Sequence, residues 1–528
     1  MKTRLKAEDL SVAREVDVLV VGGGPAGVGA GLAAARQGAR TLVVEQFNCL
    51  GGVATAGGHG HISIFSEWGG QRRIVGGIAH EIANRVVAEG FGIRNPHGIW
   101  FEVEGLKLIL DKMAKEAGAG RIAGQRAEAV APPPAIPSPS ASLRASSGRL
   151  PAAEVEESLR GDAPATEDDA SMSVRFPERS LDKLGMTGGR GGDGAAGGKG
   201  GLEVLYYTFF CESIVEDDVI TGAVIQNKGG RQVIRAKRVV DCTGDGDVAF
   251  TAGCPCEKGR PGDERCQPVT LMFTIGGVDW PRVEKWRGNN YDMREVWEEA
   301  QRKGDMEPFQ KVIMGFWWTP TRPDQVGINF THVTGVDSTK AEDLTAATME
   351  ARRQAWHSVD VFRKYVPGME RCHMVSTPNT IGIRESRRVM GEYVLTEQDL
   401  MAQREFEDNI CYGSFFIDIH NIDGAGMDQT TWRPPKGFRY HIPYRVLVPR
   451  GVENLLVAGR CISVTHVALG STRVMVQCMG TGEAAGTAAA VSIRDGVTPR
   501  RVDVKKVQCV LRQNGGILSE EDILKANA

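Results

Sequence analysis

The sequence predicts an α/β fold in which a domain of discontinuous sequence is interrupted by a second, α+β domain. An apolar run at Val16–Val21 leads through a glycine-rich turn into an alanine-rich stretch, the pattern of a buried strand followed by a helix. A similar pattern returns later in the chain. A buried strand that ends in a glycine is predicted at 454–459, and a helix of small residues at 480–490. The chain of 528 residues is long enough for about two to four domains.

The composition is that of an ordinary globular protein, with 41% hydrophobic and 24% charged residues and a net charge of −3. This balance gives no basic surface for nucleic acid and no polybasic membrane anchor. Eleven cysteines, an odd number in a long chain, do not indicate a disulfide framework. The charged residues at 1–17 argue against a secretory signal, and the glycines within 16–35 argue against a membrane span. We therefore expect a cytoplasmic protein.

The first elements follow in chain order. Val16–Val21 is predicted as a strand, Ala30–Gln37 as a helix stopped by Gly38, and Thr41–Val44 as a second strand that ends at Glu45.

Further strands are predicted beyond residue 202. Apolar runs at 211–215, 219–226 and 232–234 predict a β-meander, and a strand at 238–241 leads into the sequence Cys-Thr-Gly-Asp-Gly.

A break in composition separates the two parts of the first domain. Residues 121–200 are dominated by Gly, Pro, Ala and Ser and contain a single aromatic residue, Phe176, so we expect an inserted, largely disordered segment. The predicted units are 15–120, 202–265 and 441–495 for the first domain, 121–201 for the insertion, 266–440 for a substrate or cap domain, and 496–528 for a C-terminal tail.

The strongest motif is Gly22-x-Gly24-x-x-Gly27, which follows a strand, opens a helix and precedes Glu45 at the end of the next strand. Glycines at this spacing allow the tight turn and the close approach of a pyrophosphate, and a carboxylate at that distance accepts hydrogen bonds from a ribose. The motif predicts a Rossmann-like, dinucleotide-binding domain.

FAD is favoured over NAD as the dinucleotide. The chain has one complete fingerprint, and further cofactor-like segments lie far downstream, as if one long cofactor were wrapped by the whole chain. Glu45 would also repel the 2′-phosphate of NADP.

The sequence resembles the FAD-dependent oxidoreductase family of the glutathione-reductase-like superfamily, which is distantly related to fumarate reductase flavoproteins. The resemblance covers about 15–118 and 202–492 and rests on separated motifs, among them VVGGGPAGVGAGLAAARQG, VVDCTGDGDVAFTAG, IGIRESRRVMGEY and RVMVQCMGTGEAAGTAAA. The insertion has no counterpart in the family pattern.

The resemblance implies a set of FAD-binding residues. It places the helix N-terminus at 480–482 beside the N1/C2 edge of the flavin, where a positive dipole end stabilises the reduced form. The implied contacts are Gly22, Gly24, Pro25, Ala26, Gly27, Glu45, Gln46, Gly51, Gly52, Thr55, Val215, Thr243, Gly244, Asp245, Gly459, Arg460, Gly480, Thr481 and Gly482.

Two positions depart from the family pattern. Arg460 stands where many relatives have an aspartate, so we expect it to contact phosphate. The stretch Asn48–Thr55 lacks the histidine of relatives with covalent flavin, so we expect non-covalent FAD.

Candidate catalytic residues are histidines that could move a proton and arginines that could bind an anion. Each also has a structural interpretation, as a satisfied core histidine or as part of a salt-bridge cluster. The candidates are His59, His61, Arg384, His420, His466 and Arg473. No metal site is expected, because the spacing of Cys242, Cys254, Cys256 and Cys266 matches neither zinc pairs nor iron–sulfur runs.

The sequence thus predicts an FAD-dependent oxidoreductase that transfers a hydride between flavin N5 and a small organic substrate. The arginines would suit a substrate that carries a carboxylate. The electron acceptor is not identified, a homo-oligomer is compatible with the sequence, and no nucleic-acid partner or membrane span is expected. The alternatives are an NAD-dependent dehydrogenase, an FAD-containing nucleic-acid-modifying protein and an electron-transfer subunit.

Overall fold

The computed structural model describes residues 9–96, 98–118, 200–288, 290 and 292–528. The insertion predicted at 121–201 lies outside the described residues except for its last two positions.

The described residues form eighteen β-strands and twelve α-helices. The strands are β1 Val12–Val21, β2 Arg40–Val44, β3 His61–Ser63, β4 Gly92–Asn95, β5 Gly98–Phe101, β6 Gly201–Leu205, β7 Phe209–Glu216, β8 Val219–Asn227, β9 Gly230–Asp241, β10 Cys256–Lys258, β11 Phe273–Gly276, β12 Gly315–Trp318, β13 Val326–Asn329, β14 His373–Ser376, β15 Arg387–Val389, β16 Asn409–Gly413, β17 Tyr440–Pro443 and β18 Leu455–Val457. The α-helices are α1 Pro25–Arg36, α2 Gly77–Ala88, α3 Val103–Ala117, α4 Asp247–Thr251, α5 Trp280–Arg287, α6 Arg294–Arg302, α7 Ala341–Tyr365, α8 Glu397–Met401, α9 His466–Thr472, α10 Met475–Arg494, α11 Val504–Gln513 and α12 Glu520–Asn527.

One sheet organises the nucleotide-binding half. Its order is β6-β2-β1-β9-β8-β7, with β18 also paired to β9, and the pairs among β6, β2, β1, β9 and β18 are parallel. Strands β7, β8 and β9 form the predicted antiparallel meander. The predicted α/β fold with a Rossmann-like domain of discontinuous sequence is confirmed.

Several element boundaries differ from the predicted ones. Strand β1 begins four residues early, at Val12 rather than Val16, and α1 begins directly after the glycine turn at Pro25 rather than at Ala30. The separate runs predicted at 232–234 and 238–241 are one strand, β9, because Ala236 continues the pairing with β1.

Helices α1 and α10 pack closely against each other, and glycines of α10 make this close approach possible. A Cβ on Gly482 would lie 2.0 Å from the carbonyl oxygen of Ala26, and one on Gly486 would lie 2.1 Å from that of Ala30. The alanine- and glycine-rich sequences of both helices are therefore a requirement of close backbone approach.

A second hydrophobic core lies within 273–372 and is rich in aromatic residues, including Phe273, Trp297, Phe330 and Phe362. Strands β11 to β14 form its sheet, and α5, α6 and α7 supply helices. Residues of 389–447, such as Ile417 and Tyr440, pack in the larger core of the nucleotide-binding half. The domain limits themselves stay a prediction.

Among the residues that the structure describes, every helix is too short or too polar to cross a lipid bilayer. The cytoplasmic location stays a prediction.

Candidate functional site

The glycine turn joins β1 to α1 at the carboxyl end of the parallel strands. Gly22 has a φ of +96°, and a Cβ on Gly27 would lie 1.8 Å from the carbonyl oxygen of Gly22. Gly24 is the residue before α1, and the first intrahelical hydrogen bond runs from Val28 N to its carbonyl oxygen over 2.9 Å. The amides of the first turn thus precede the intrahelical ladder and can bind an anion.

Glu45 lies beside this turn at the end of β2. Its carboxylate accepts hydrogen bonds from Gly23 N at 2.6 Å and from Phe47 N at 2.9 Å. Burial raises the pKa of Glu45, and these backbone donors oppose the shift. Each carboxylate oxygen keeps a second lone pair for a ribose hydroxyl.

A second turn covers the first. Gly51 N donates to Gly23 O at 2.8 Å, and a Cβ on Gly52 would lie 2.8 Å from Gly24 Cα. The hydroxyl of Thr55 donates to Leu50 O at 2.6 Å, so it holds its own loop.

The segment after β9 is held by a buried carboxylate that sequence reasoning did not single out. Asp241 accepts from Thr243 N and Oγ1 at 3.0 and 2.7 Å, and from Ala249 N at 3.0 Å. Burial raises its pKa to about 6. Asp241 shapes the turn at Thr243 and Gly244 next to the glycine turn.

Arg460 is ion-paired rather than free. Its guanidinium contacts Asp245 Oδ1 at 2.8 Å and Ser386 Oγ at 2.7 Å. The predicted Asp245 and Arg460 thus lie together, and this ion pair connects the segments after β9 and β18. A phosphate contact by Arg460 stays a prediction.

The placement of a helix N-terminus at 480–482 is wrong. Helix α10 begins at Met475, and its first intrahelical bond runs from Cys478 N to Val474 O, so Gly480 is in its second turn. Gly482 is needed for packing against α1, as described above, and Thr481 Oγ1 accepts from Gly459 N at 3.1 Å. The amides that precede the intrahelical bonds of α10 are those of 475–477.

Two further residues that the resemblance implies as FAD contacts lie in other segments of the chain. Val215 pairs with Ile220 beside the hairpin turn between β7 and β8, and Gln46 is exposed on the loop after β2. Their roles toward FAD stay predictions.

These residues fit a bound dinucleotide. A Cβ placed on Gly24 would meet no heavy atom within 4 Å, which leaves room beside the amides of the α1 N-terminus. At the start of α10, both side-chain amide atoms of Gln477 are buried and have no hydrogen-bond partner among the described residues. FAD would be held by the glycine turn and Glu45 at one end and by the start of α10 at the other.

A second group of functional residues, called here the polar cluster, consists of Gln267, Arg384, Asp418, His420 and Arg473. Arg384 is 8% exposed and donates from Nη1 to Pro268 O at 2.7 Å and to Thr270 Oγ1 at 2.6 Å. Burial, reinforced by the charge of Arg473, lowers its pKa to about 9. No carboxylate of the described residues lies within 4.0 Å of its guanidinium.

Asp418 and Gln267 join the other members of the polar cluster. Arg473 Nη2 donates to Asp418 Oδ2 at 3.2 Å and His420 Nε2 lies 3.5 Å from Asp418 Oδ1. Gln267 Oε1 accepts from His420 N at 3.1 Å and from Arg473 Nη2 at 3.4 Å. Three of the predicted catalytic residues, Arg384, His420 and Arg473, are therefore brought together.

The charges of the polar cluster follow from burial. Burial and the charge of Arg384 lower the pKa of His420 to about 4, so the imidazole is neutral near pH 7. Burial alone would raise the pKa of Asp418, but His420, Arg473 and Arg384 outweigh it and hold the pKa below its usual range. Two guanidinium cations thus face one carboxylate.

His466 lies next to the polar cluster through Glu385. Its Nδ1 is 2.7 Å from Glu385 Oε1, which also accepts from Arg388 Nη1 at 2.7 Å, while Glu385 Oε2 accepts from Gln267 N at 3.2 Å. Within 384–388, Arg388 and Glu385 form a buried salt bridge, which supports the interpretation of this run as part of a salt-bridge cluster.

His59 and His61 occupy the loop and strand that follow the second glycine turn. The ring of His59 lies 5.0 Å from that of Trp317 and 6.3 Å from that of His61. Burial and the charge of Arg384 lower the pKa of His59 to about 4. His59 is thus electrostatically coupled to the polar cluster, while His61 pairs with Trp100 in the sheet of β3 to β5.

Sequence reasoning missed Gln267, Asp418, Asp241 and Trp317. No local motif marks them. Gln267 acquires a role only by meeting Glu385 and His420, which are more than a hundred positions away in the chain, and Asp418 by meeting Arg473, which is 55 positions away. Among the described residues, no group of three His, Cys, Asp or Glu side chains could hold a metal ion.

A parallel sheet with a glycine turn after its first strand and an acidic residue after its second defines a dinucleotide-binding α/β protein. The chain belongs to the FAD dependent oxidoreductase family, whose model matches residues 17–135 and 196–511. FAD is its cofactor, and the protein is an FAD-dependent oxidoreductase. The family model leaves 136–195 unmatched, within the predicted insertion.

Among the solved structures that match the chain are the following three, each with a TM-score of 0.40. A geranylgeranyl bacteriochlorophyll reductase-like protein from Thermoplasma acidophilum is 13% identical, with 97% of this chain and 96% of that chain covered and a TM-score of 0.40. The p-nitrophenol 4-monooxygenase from Pseudomonas putida is 11% identical, with coverage of 97% and 94% and a TM-score of 0.40. A myxobacterial chondrochloren halogenase is 12% identical, with coverage of 95% and 79% and a TM-score of 0.40. No curated protein matches the sequence.

Proposed function

We propose that the protein transfers a hydride between a small, carboxylate-bearing organic substrate and N5 of the flavin. When bound, FAD supplies this redox chemistry. The observation that carries the proposal is the excess positive charge of the polar cluster, in which Arg384 and Arg473 face the single carboxylate of Asp418.

A substrate carboxylate would neutralise this charge. A buried cation without a counter-ion is costly, and the flat guanidinium of Arg384 presents parallel N–H donors that match a carboxylate. Arg473 is already bonded to Asp418, so Arg384 is the group that binds the substrate anion. Arg473 positions Asp418, which in turn lies against His420.

His420 moves the proton that accompanies the hydride. The neighbouring carboxylate of Asp418 favours the tautomer with the proton on Nε2, which leaves Nδ1 as the acceptor. A neutral imidazole in this orientation can take a proton from the substrate, or return one in the reverse direction.

The test is substrate binding by the holoenzyme and by Arg384→Met. Small carboxylates are titrated anaerobically, and the visible flavin spectrum reports both binding and reduction. We expect Arg384→Met to weaken carboxylate binding at least about 100-fold, since one hydrogen bond to a charged group can contribute that much. Arg404→Met is the matched control, because Arg404 is an exposed arginine paired with Asp399 and Tyr393. Equal affinity in wild type and Arg384→Met would refute the proposal.

A further inference from the structure

Four buried polar atoms of the polar cluster have no hydrogen-bond partner among the described residues. They are Nε2 of Gln267, Oδ1 of Asp418, Nδ1 of His420 and Nε of Arg473. Leaving such an atom unpaired costs about 1–3 kcal/mol, and native proteins rarely keep several together without a reason. The concentration of four such atoms in one connected cluster points to a ligand that provides some of the missing partners.

Gln267 is fixed in a single orientation. Its backbone N donates to Glu385 Oε2, and its Oε1 accepts from His420 N and Arg473 Nη2. If the side-chain amide were flipped, its NH2 group would face two other donors, His420 N and Arg473 Nη2. The two N–H groups of Nε2 are therefore directed elsewhere. Gln267 is fully buried, and its Nε2 can therefore serve only a group that enters the site.

The polar cluster offers three complementary functions in one place. Arg384 is a cation for an anion, Nε2 of Gln267 is a donor, and Nδ1 of the neutral His420 is an acceptor. A hydroxyl group matches the last two together, because it accepts one hydrogen bond and donates another. A carboxylate matches the first.

We propose that the substrate is a small hydroxy carboxylate and that Gln267 is the residue that selects for its hydroxyl group. This inference rests on the proposed function, since Arg384 holds the carboxylate in both. The hydroxyl accepts from Nε2 of Gln267 and donates to Nδ1 of His420. A carboxylic acid without the hydroxyl leaves the amide and the imidazole unpaired, which is how a buried polar site rejects an analogue.

The test compares matched pairs of acids by calorimetric titration of the holoenzyme under anaerobic conditions. The pairs are lactate and propionate, malate and succinate, and 3-hydroxybutyrate and butyrate. In at least one pair, we expect the hydroxy acid to bind about ten-fold more tightly than its partner without the hydroxyl, the value of one to two hydrogen bonds.

Two variants assign the preference to Gln267. Gln267→Glu keeps an oxygen for His420 N and Arg473 but removes the donor, and Gln267→Met removes the polar group altogether. We expect the preference within the pair to fall to two-fold or less in both variants, whatever happens to the absolute affinity. FAD content and thermal unfolding establish that each variant is folded, and the wild-type comparison needs no variant.

The outcomes separate the two proposals. If acids bind but no pair distinguishes the hydroxyl, or if both folded variants keep the preference, the assignment to Gln267 is overturned and the proposed function stands. If no acid of any pair binds to the holoenzyme, the proposed function is overturned and this inference with it.

Discussion

In the nucleotide-binding half, the groups assigned to FAD are mostly backbone atoms that glycines bring close together, whereas in the polar cluster every assigned group is a side chain. The glycine turn lies within six consecutive residues, 22–27. The polar cluster draws on separate segments at 267, 384, 418–420 and 473. Where backbone meets backbone, an added side-chain atom causes a clash, and where buried side chains meet, the loss of one ion-pair partner leaves a charge uncompensated. Substitutions should therefore fail for different reasons in the two regions.

The largest effect is expected where a glycine allows backbone to meet backbone. Gly27→Ala would place a methyl group 1.8 Å from Gly22 O, so we expect a loss of stability above about 4 kcal/mol and almost no bound FAD. Gly24→Ala is the matched control for folding, because its Cβ meets no heavy atom within 4 Å. It should cost no more than about 1 kcal/mol and still lose FAD, measured as the ratio of flavin to protein absorbance. A Gly24→Ala variant that binds a full complement of FAD would exclude the glycine turn as the pyrophosphate site.

The next effect tests charge balance beside the polar cluster. Arg388→Met leaves the fully buried Glu385 without its cation, and we expect a loss of about 3–5 kcal/mol in denaturant unfolding. Arg387→Met, one residue earlier, removes a pair whose Asp247 is 44% exposed and should cost about 1 kcal/mol or less. Similar losses in both variants would contradict the argument from burial.

A pH-dependent effect is expected in the nucleotide-binding half. Glu483 of α10 is buried, accepts from Ile78 N at 2.9 Å, and burial raises its pKa to about 7 from an ordinary 4.5. The folded state therefore binds more protons than the unfolded state between about pH 4.5 and 7, so this group makes stability fall as pH rises through that window.

Glu483→Gln removes this dependence while keeping an oxygen for Ile78 N. Relative to wild type, we expect the variant to gain about 3 kcal/mol in free energy of unfolding on going from pH 4.5 to 8. Unfolding curves at both pH values measure the difference. A constant difference between the two proteins would mean that Glu483 keeps an ordinary pKa.

The smallest effect on stability is expected at Arg384, although it is nearly as buried as Arg388. Arg384→Met leaves no carboxylate uncompensated and removes a buried charge, so stability should change by less than about 1 kcal/mol or increase. The free energy of unfolding is measured beside that of Arg388→Met. A loss as large as that of Arg388→Met would show that Arg384 already has a counter-charge within the protein.

The sequence predicted most of the nucleotide-binding half because its signals are local. The run from Val16 through Gly27 to Glu45 encodes strand, turn, helix and strand in order, and the structure confirms this order. The start of α10 was misplaced at Gly480 because glycines usually open or end helices, and here Gly482 and Gly486 serve packing against α1 within the helix. Helix packing of this kind has no signature in a single segment.

The polar cluster was predicted only in part. Arg384, His420 and Arg473 stood out by residue type, but neither Asp418 nor Gln267 did, since an aspartate and a glutamine are ordinary residues until the fold gives them partners. The structural interpretation kept for His466 also has support, because its imidazole lies against the Glu385 carboxylate that Arg388 shares.

The contact between α1 and α10 sets the order of events during synthesis. Ala26 and Ala30 of α1 cannot make this contact until Gly482 and Gly486, more than 450 positions further along the chain, have been translated. At about 5–20 residues per second, a ribosome needs on the order of 20 s or more to cover that distance. The glycine turn therefore leaves the exit tunnel long before the helix that supports it, and the contact between α1 and α10 forms only after that helix has been made.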